Sequence, residues 1–422
     1  MRGYCVLKNI FVASAALLAA LLGPALGYKG FYLSHVFVAL FIMSGLIAAL
    51  TGSGRSPKLG AVLACASILL YAVASSALFA NTGAGYAHVE MLLASFGTLA
   101  LAFGVTRNEL EVDDVRRVIV VFCVMLVAIS VAEYFWGWRL PVSRYSTFHT
   151  ANNGAPVGDP LYNVPTGFYG NQNNLALIAL VVLPLTWGLP RGLLALAVRT
   201  ALIVIILITD SRDAIVCLIA ILALAWLLQL KGRDMVASLA VALVALGVLF
   251  GAQRHLVDNL CGQATISKFC VVGDLIEDGI DLETLAERTD SLGVRASLTM
   301  QAWELFEANP IWGVGPGTLT ERISATHFEA GEIVNLHNPA LEILAEYGVM
   351  GALPWIALWG MLIVSSLRIR HARLRAACIA TTLVLPIACM SVSGIYYFTA
   401  LWALLGMFVG VAHHFSVAEA EQ

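Results

Sequence analysis

The sequence predicts an all-α polytopic membrane protein, and three observations predict it. Of 422 residues, 59% are hydrophobic and 12% charged, with a mean hydropathy of +0.84; an ordinary soluble domain is nearer half apolar and about a quarter charged. Apolar runs long enough to cross about 30 Å of hydrocarbon, roughly 20 residues each, recur along the chain. Lysine and arginine divide unevenly between the segments that join those runs. This composition excludes an ordinary soluble protein, and no nucleic-acid partner is expected.

Twelve such runs begin near Ile10, Phe31, Lys58, Ala87, Val115, Gln172, Gly192, Asp213, Met235, Leu341, Leu374 and Tyr396. Glycine and proline are tolerated inside spans, so the ends are less defined than the number. Residues 1–422 read as a single integral membrane domain with two long polar segments, 136–171 and 253–338. With the N-terminus inside, fifteen of the 24 lysines and arginines fall on the cytoplasmic side, including Arg55, Arg107, Arg116, Arg117, Arg199, Arg368 and Arg373. The short outer loops then keep only Lys29 and Arg212, the asymmetry expected when both termini are cytoplasmic. The first run, between the charged "MRGYCVLKNIF" and the small residues of "GPALGYKG", also has the pattern of a cleavable signal peptide. Its removal would leave the other eleven runs in the same orientation.

Cys5, Cys65, Cys123, Cys217, Cys378 and Cys389 lie in or beside apolar runs, where cysteine serves as a small hydrophobe. Cys261 and Cys270 instead share the long outer segment as "CGQATISKFC", where an oxidising exterior would let them pair as a disulfide. No Cys/His spacing or acidic cluster suggests a metal, so a metal-free mechanism without cofactor is expected.

The 136–171 segment is rich in Gly, Pro and Asn and reads as irregular loop. At its end, Asn171 and Asn173 of "GNQNN" either cap the next helix or, with Tyr162 or Tyr169, face a sugar. The 253–338 segment has room for two or three helices. In "SLGVRASLTMQAWELFEANP", Leu298, Ala302, Leu305 and Phe306 form one stripe, Ser291 suits a cap, and Pro310 follows the end. Arg295 and Trp303 fall on roughly one side of that helix, and Arg288 joins them if the helix extends back through Ser291 and Gly293.

In "IVNLHNPALEILAEYGVMG", Asn338 followed by Pro339 has the pattern of an N-cap and first helical position. His337 then sits at the N-terminus of the tenth span, on the outer face. The positive potential there disfavours imidazolium and keeps the ring able to accept a proton; an interfacial histidine bonded to a loop carbonyl fits the same position. Arg212 in "ITDSRDAIV", flanked by Asp210 and Asp213, suits a structural salt bridge as well as a ligand contact. Arg212, Arg288 and Arg295 nevertheless share one side of the membrane with His337, and arginine's rigid fork suits a pyrophosphate.

These stretches, with "TDSRDA", "RASLTMQAWELFEANPIWGVGPGTL" and "GFYGNQNNLA", resemble the O-antigen ligase and polymerase superfamily of bacterial envelope glycosyltransferases. The resemblance runs from about Gly167 to Gly351, and the span layout extends it to the whole chain. It implies a GT-C type fold in the bacterial inner membrane with the active site on the periplasmic face. It further implies metal-free transfer of a glycan from an undecaprenyl-pyrophosphate donor among membrane lipids. By position, His337 matches the family's histidine, Arg212 and Arg295 match its arginines, and Arg288 is a weaker match. Many members have Asn-Pro-Asn where this chain has Asn171-Gln172-Asn173.

The residue types suit that chemistry. Displacing a polyprenyl pyrophosphate builds negative charge that arginines can stabilise, while the acceptor hydroxyl must lose a proton, which a neutral histidine can take. Asn338, Trp303, Asn171 and Asn173 are candidate substrate contacts. Within the superfamily, the single dominant late loop and the expectation of no soluble domain after Phe415 favour an O-antigen ligase acting on the lipid A core over a protein O-oligosaccharyltransferase, and do not separate it from an O-antigen polymerase. The alternatives are a protein O-oligosaccharyltransferase and an O-antigen polymerase. A transporter of lipid-linked glycans is the other class; related halves and charges at mid-span would mark one, whereas the polar residues here gather outside.

Overall fold

The structure, a computed structural model, describes residues 10–28, 31–50, 59–77, 83–143, 164–190, 192–209, 211–228, 291–327, 336–392 and 394–417. Helices dominate them: α1 (Ile10–Leu22), α2 (Leu33–Leu50), α3 (Leu59–Ser75), α4 (Gly83–Asn108), α5 (Val112–Trp136), α6 (Gln172–Leu185), α7 (Leu193–Ile208), α8 (Arg212–Leu227), α9 (Ser291–Ala308), α10 (Leu319–His327), α11 (Pro339–Leu367), α12 (Ala372–Ala388) and α13 (Thr399–Val417). Among the described residues the β-structure is a two-residue hairpin, β1 (Gly27–Tyr28) antiparallel to β2 (Phe31–Tyr32), between α1 and α2.

Eleven of the twelve expected runs coincide with a helix whose start lies within four residues of the expected one. The twelfth, near Met235, lies outside the described residues, as do Cys261, Cys270 and Arg288. Among the described residues, three helices are long and apolar enough to cross a membrane by length and composition, Gly85–Arg107, Val112–Trp136 and Pro339–Leu367, and the other apolar helices are shorter. The chain is an all-α membrane protein.

Helix α5 shows how the ends are fixed. Glu111 and Asp114 form a capping box at its N-terminus, Gly137 closes it in the left-handed conformation, and Asp113 and Asp114 pair with Arg116 and Arg117 at 2.7 and 3.1 Å. Its 25 residues span about 37 Å at 1.5 Å per residue. Helix α6 is apolar all round and buried from Leu175 through Leu185, as befits the middle of a bundle. The cysteines behave as small hydrophobes: Cys123, Cys217, Cys378 and Cys389 are buried and free.

Helices α4 and α13 pack closely, because Gly406 and Gly410, four residues apart, remove side chains from the contact. A Cβ at Gly406 would run into the Leu99 carbonyl, and one at Gly410 into the Thr106 side chain. Small residues at this spacing let helix backbones approach in a membrane, where no water-driven force holds them. Gly406→Val is therefore expected to cost about 1–3 kcal/mol through overpacking. Thermal unfolding of the purified protein in detergent checks this, and a midpoint matching wild type would contradict it.

Buried ionisable side chains sit near helix ends: Asp114 and Glu133 at the two ends of α5, Arg199 in the second turn of α7, and Glu346 in the third turn of α11. Glu133 organises the chain entering α6. Its carboxylate accepts from the Thr166 and Gly167 amides at 2.7 and 2.6 Å and from the Thr166 hydroxyl at 2.9 Å. One expectation is corrected here. Tyr169 does not face an open sugar site; it is fully buried and donates its hydroxyl to the Leu21 carbonyl at 3.0 Å.

Candidate active site

Helix α11 begins as its sequence dictates. Asn338 is the N-cap, its Oδ1 accepting from the Leu341 amide at 3.2 Å, and Pro339 occupies the first turn. His337, the residue before the cap, has φ 56°, which makes it the one non-glycine in the left-handed region among the described residues. Histidine enters that region more readily than most residues. A backbone held there is held by its surroundings, and such positions cluster at functional sites.

Those surroundings are helices α9 and α10. Leu336 packs with Leu298 and Ala302 of α9, Leu319 and Ile323 of α10, and Leu341 and Ala345 of α11, with Leu305 and Phe306 alongside. The expected apolar stripe of α9 is therefore the surface that holds the histidine's neighbour. The helix begins at Ser291 itself, so Ser291 is its first residue rather than the residue before it, and Pro310 lies two residues past its end.

Arg295, one turn before Leu298, reaches Asp213 in the first turn of α8, at 3.7 Å. Both side chains are about 40% exposed, so the pair adds little stability and leaves the guanidinium open to solvent. Asp213, which the sequence sets beside Arg212, thus ties α9 to α8. Arg212 is the first residue of α8, so the backbone positions of Arg212 and Arg295 are brought to one end of the bundle.

The turn after α9 fixes this end with main-chain bonds. Val314 and Gly315 donate to the carbonyls of Ala345 and Glu346 at 2.8 and 3.0 Å, and Val349 and Met350 donate to those of Pro310 and Ile311 at 2.9 and 3.2 Å. This reciprocal clasp is possible because α11 is broken at Gly348 (φ 63°, ψ −175°). Gly313 (φ 72°) and Gly348 meet back to back: a Cβ on either would overlap the other's backbone. The Tyr71 hydroxyl lies 2.7 Å from both the Trp312 and Tyr347 carbonyls, one on each side of the clasp. Tyr347 in turn bonds through its hydroxyl to His88 Nε2 at 2.6 Å.

Glu346 is buried beside the clasp. Its Oε1 accepts from the Leu319 amide at the start of α10, at 3.4 Å, while Oε2 has no hydrogen-bond partner among the described residues. The sequence offered a signal for this residue, an acid inside an otherwise apolar run. Tyr71 and His88 carry no such signal, because only packing brings them to α11.

The remaining expected contacts divide. Trp303 is exposed and donates its indole N–H to Glu307 at 2.7 Å. Asn171 caps α6, accepting from the Asn174 amide at 2.9 Å, and Asn173 follows half-buried in the first turn. Both asparagines belong to another helix start.

Residues 196–356 match the family described as O-antigen ligase. The match covers 161 of the 422 residues, and over that stretch the chain is similar to the O-antigen ligase family. Members of this family are glycosyltransferase-like enzymes. The matched stretch runs from α7 through the break in α11, and so contains Arg212, Arg288, Arg295, the Gly313–Gly348 clasp and His337. Asn171 and Asn173 lie before it. No curated protein matches the sequence.

Proposed function

We propose that this protein is an O-antigen ligase of the GT-C type, crossing the bacterial inner membrane twelve times with residues 253–338 on the periplasmic face. It transfers O-antigen polysaccharide from undecaprenyl pyrophosphate to the lipid A core. The observation that carries this reading is the left-handed backbone of His337 at the head of a membrane-length helix, inside the stretch similar to the O-antigen ligase family.

In the proposed reaction, His337 takes the proton of an acceptor hydroxyl as its oxygen attacks the anomeric carbon. The bond from that carbon to the carrier's phosphate oxygen breaks, and undecaprenyl pyrophosphate leaves with its negative charge. Attack opposite the leaving group inverts the anomeric centre. Arg212, Arg288 and Arg295 stabilise the departing pyrophosphate, supplying the positive charge that the reaction needs without a metal. Support comes from Arg295 standing one turn from the cluster that holds Leu336, and from the first turn of α8 reaching the same helix through Asp213.

Purified full-length protein incubated with lipid-linked glycan and lipid A core tests the assignment. Glycan joined to the core supports the ligase, and longer carrier-linked chains point instead to a polymerase. Chelator is expected to leave the rate unchanged; inhibition reversed by a divalent ion would refute the metal-free scheme.

Arg212→Lys and Arg295→Lys are each expected to lower kcat/KM for the donor by about 10- to 100-fold. This corresponds to about 1.5–3 kcal/mol for a lost charge-assisted hydrogen bond, because a point charge does not reproduce the fork. Titration of the lipid-linked donor at fixed acceptor measures it, and unchanged donor dependence in both variants would remove the pyrophosphate contact.

A further inference from the structure

A second concentration of positive charge lies at the other end of the bundle. The N-terminal part of α5, the turn after α6, the second turn of α7 and the start of α12 enclose a cavity of about 200 Å³, lined by Arg116, Arg199, Arg373, His371, Trp187 and Gly188 among others. Among the described residues, no lining side chain is acidic. Arg199 is buried, with one guanidinium nitrogen donating to the Thr186 carbonyl at 3.0 Å and its Cζ 5.6 Å from the Trp187 ring centre. Arg116 is oriented by the Gly188 carbonyl at 2.8 Å and by Asp113 at 2.7 Å. His371 caps α12 by accepting from the Leu374 amide at 3.3 Å, so the positive end of that helix also opens here.

We infer that this cavity is a binding site for a phosphate-bearing anion, separate from the glycan-transfer site. Arg116 of α5 and Arg199 of α7 are both anchored by carbonyls of the turn after α6, those of Gly188 and Thr186, and gathering three guanidinium groups concentrates like charge that a phosphate opposes. Arginine's planar fork matches phosphate oxygens. The volume is below the roughly 300–1,000 Å³ of pockets that enclose drug-sized ligands, and it suits a phosphate or a phosphoglycerol headgroup better than a nucleotide. Basic pockets between membrane helices on the cytoplasmic side take anionic headgroups, and the proposed topology puts these helix ends on that side. Two sources share this chemistry, an anionic lipid of the membrane and a free phosphate of the cytoplasm.

Native mass spectrometry of the full-length protein in mixed micelles separates them. Phosphatidylglycerol is compared with phosphatidylcholine, whose phosphate is neutralised by its choline, and thermal melts are recorded with inorganic phosphate against chloride at equal ionic strength. One retained phosphatidylglycerol, preferred at least 5-fold, with the preference lost in Arg373→Gln and Arg116→Gln, supports the site with a lipid occupant. Stabilisation by millimolar phosphate that is lost in the same variants supports it with a soluble one. Neither effect, or effects unchanged in both variants, overturns the inference. Arg373 and Arg116 are only partly buried, so these variants test the site without emptying a buried position such as that of Arg199.

Discussion

Replacing His337 with Ala is expected to lower glycan transfer by roughly 10²- to 10⁴-fold, the usual contribution of a positioned general base, with donor binding largely kept. The left-handed backbone at this residue complicates a single substitution, since Ala resists that conformation while Gly and Asn accept it. His337→Gly and His337→Asn therefore keep the turn and remove the base, and both are expected to fall as far as His337→Ala. A merely structural histidine would leave the Gly and Asn variants near wild type. The pH profile gives a second readout. The wild-type rate should decline as the imidazole becomes protonated, and that limb should be absent from the residual activity of the variants. Near-normal ligation by folded His337→Asn would eliminate the base assignment.

Gly348→Ala is expected to be the most damaging small substitution in α11. Its φ of 63° and ψ of −175° lie in a region open essentially to glycine alone, and a Cβ there would overlap the Ile311 carbonyl and the Gly313 amide nitrogen. Backbone strain and overpacking at about 1–3 kcal/mol each give a combined cost of roughly 2–6 kcal/mol. The same helix supplies the control. At Gly360 an added Cβ would meet nothing within 4 Å, so Gly360→Ala should be neutral or slightly stabilising, because Ala favours the helix by about 0.5–1 kcal/mol. Thermal unfolding and transfer rate measured on both variants decide the matter. Equal stability of the two would show that the clasp does not hold the site.

The helices and the histidine's setting were legible because each depends on a local pattern. A run of about 20 apolar residues marks a span whatever surrounds it, the stripe Leu298, Ala302, Leu305 and Phe306 marks the buried face of α9, and Asn338-Pro339 marks a helix start. What stayed hidden depends on partners distant in sequence. Gly348 looks like any glycine in a membrane run until Gly313 is packed against it. Asp213 stands beside Arg212 in the chain, yet its observed salt bridge is to Arg295. Tyr169, in a stretch of loop residues, is drawn into the core by a carbonyl of α1. Arg116, Arg199 and Arg373 each signal only a cytoplasmic loop, and no spacing announces that their helices enclose one cavity.

The clasp between the turn after α9 and the broken α11 is made by peptide groups, and that separates two demands on the protein. Four N–H donors and four carbonyl acceptors set the relation of the turn to the broken helix, and none of them depends on which side chains Ile311, Trp312, Val314, Val349 and Met350 carry. Gly313, Gly315 and Gly348 are held to glycine by their positive φ and Val314 by its burial, while the exposed Ile311, Trp312, Val349 and Met350 are open to change without loosening the clasp. In the proposed ligase such freedom has a use: the exposed side chains around the turn can be exchanged to suit a new sugar while the backbone of the broken helix stays where it was.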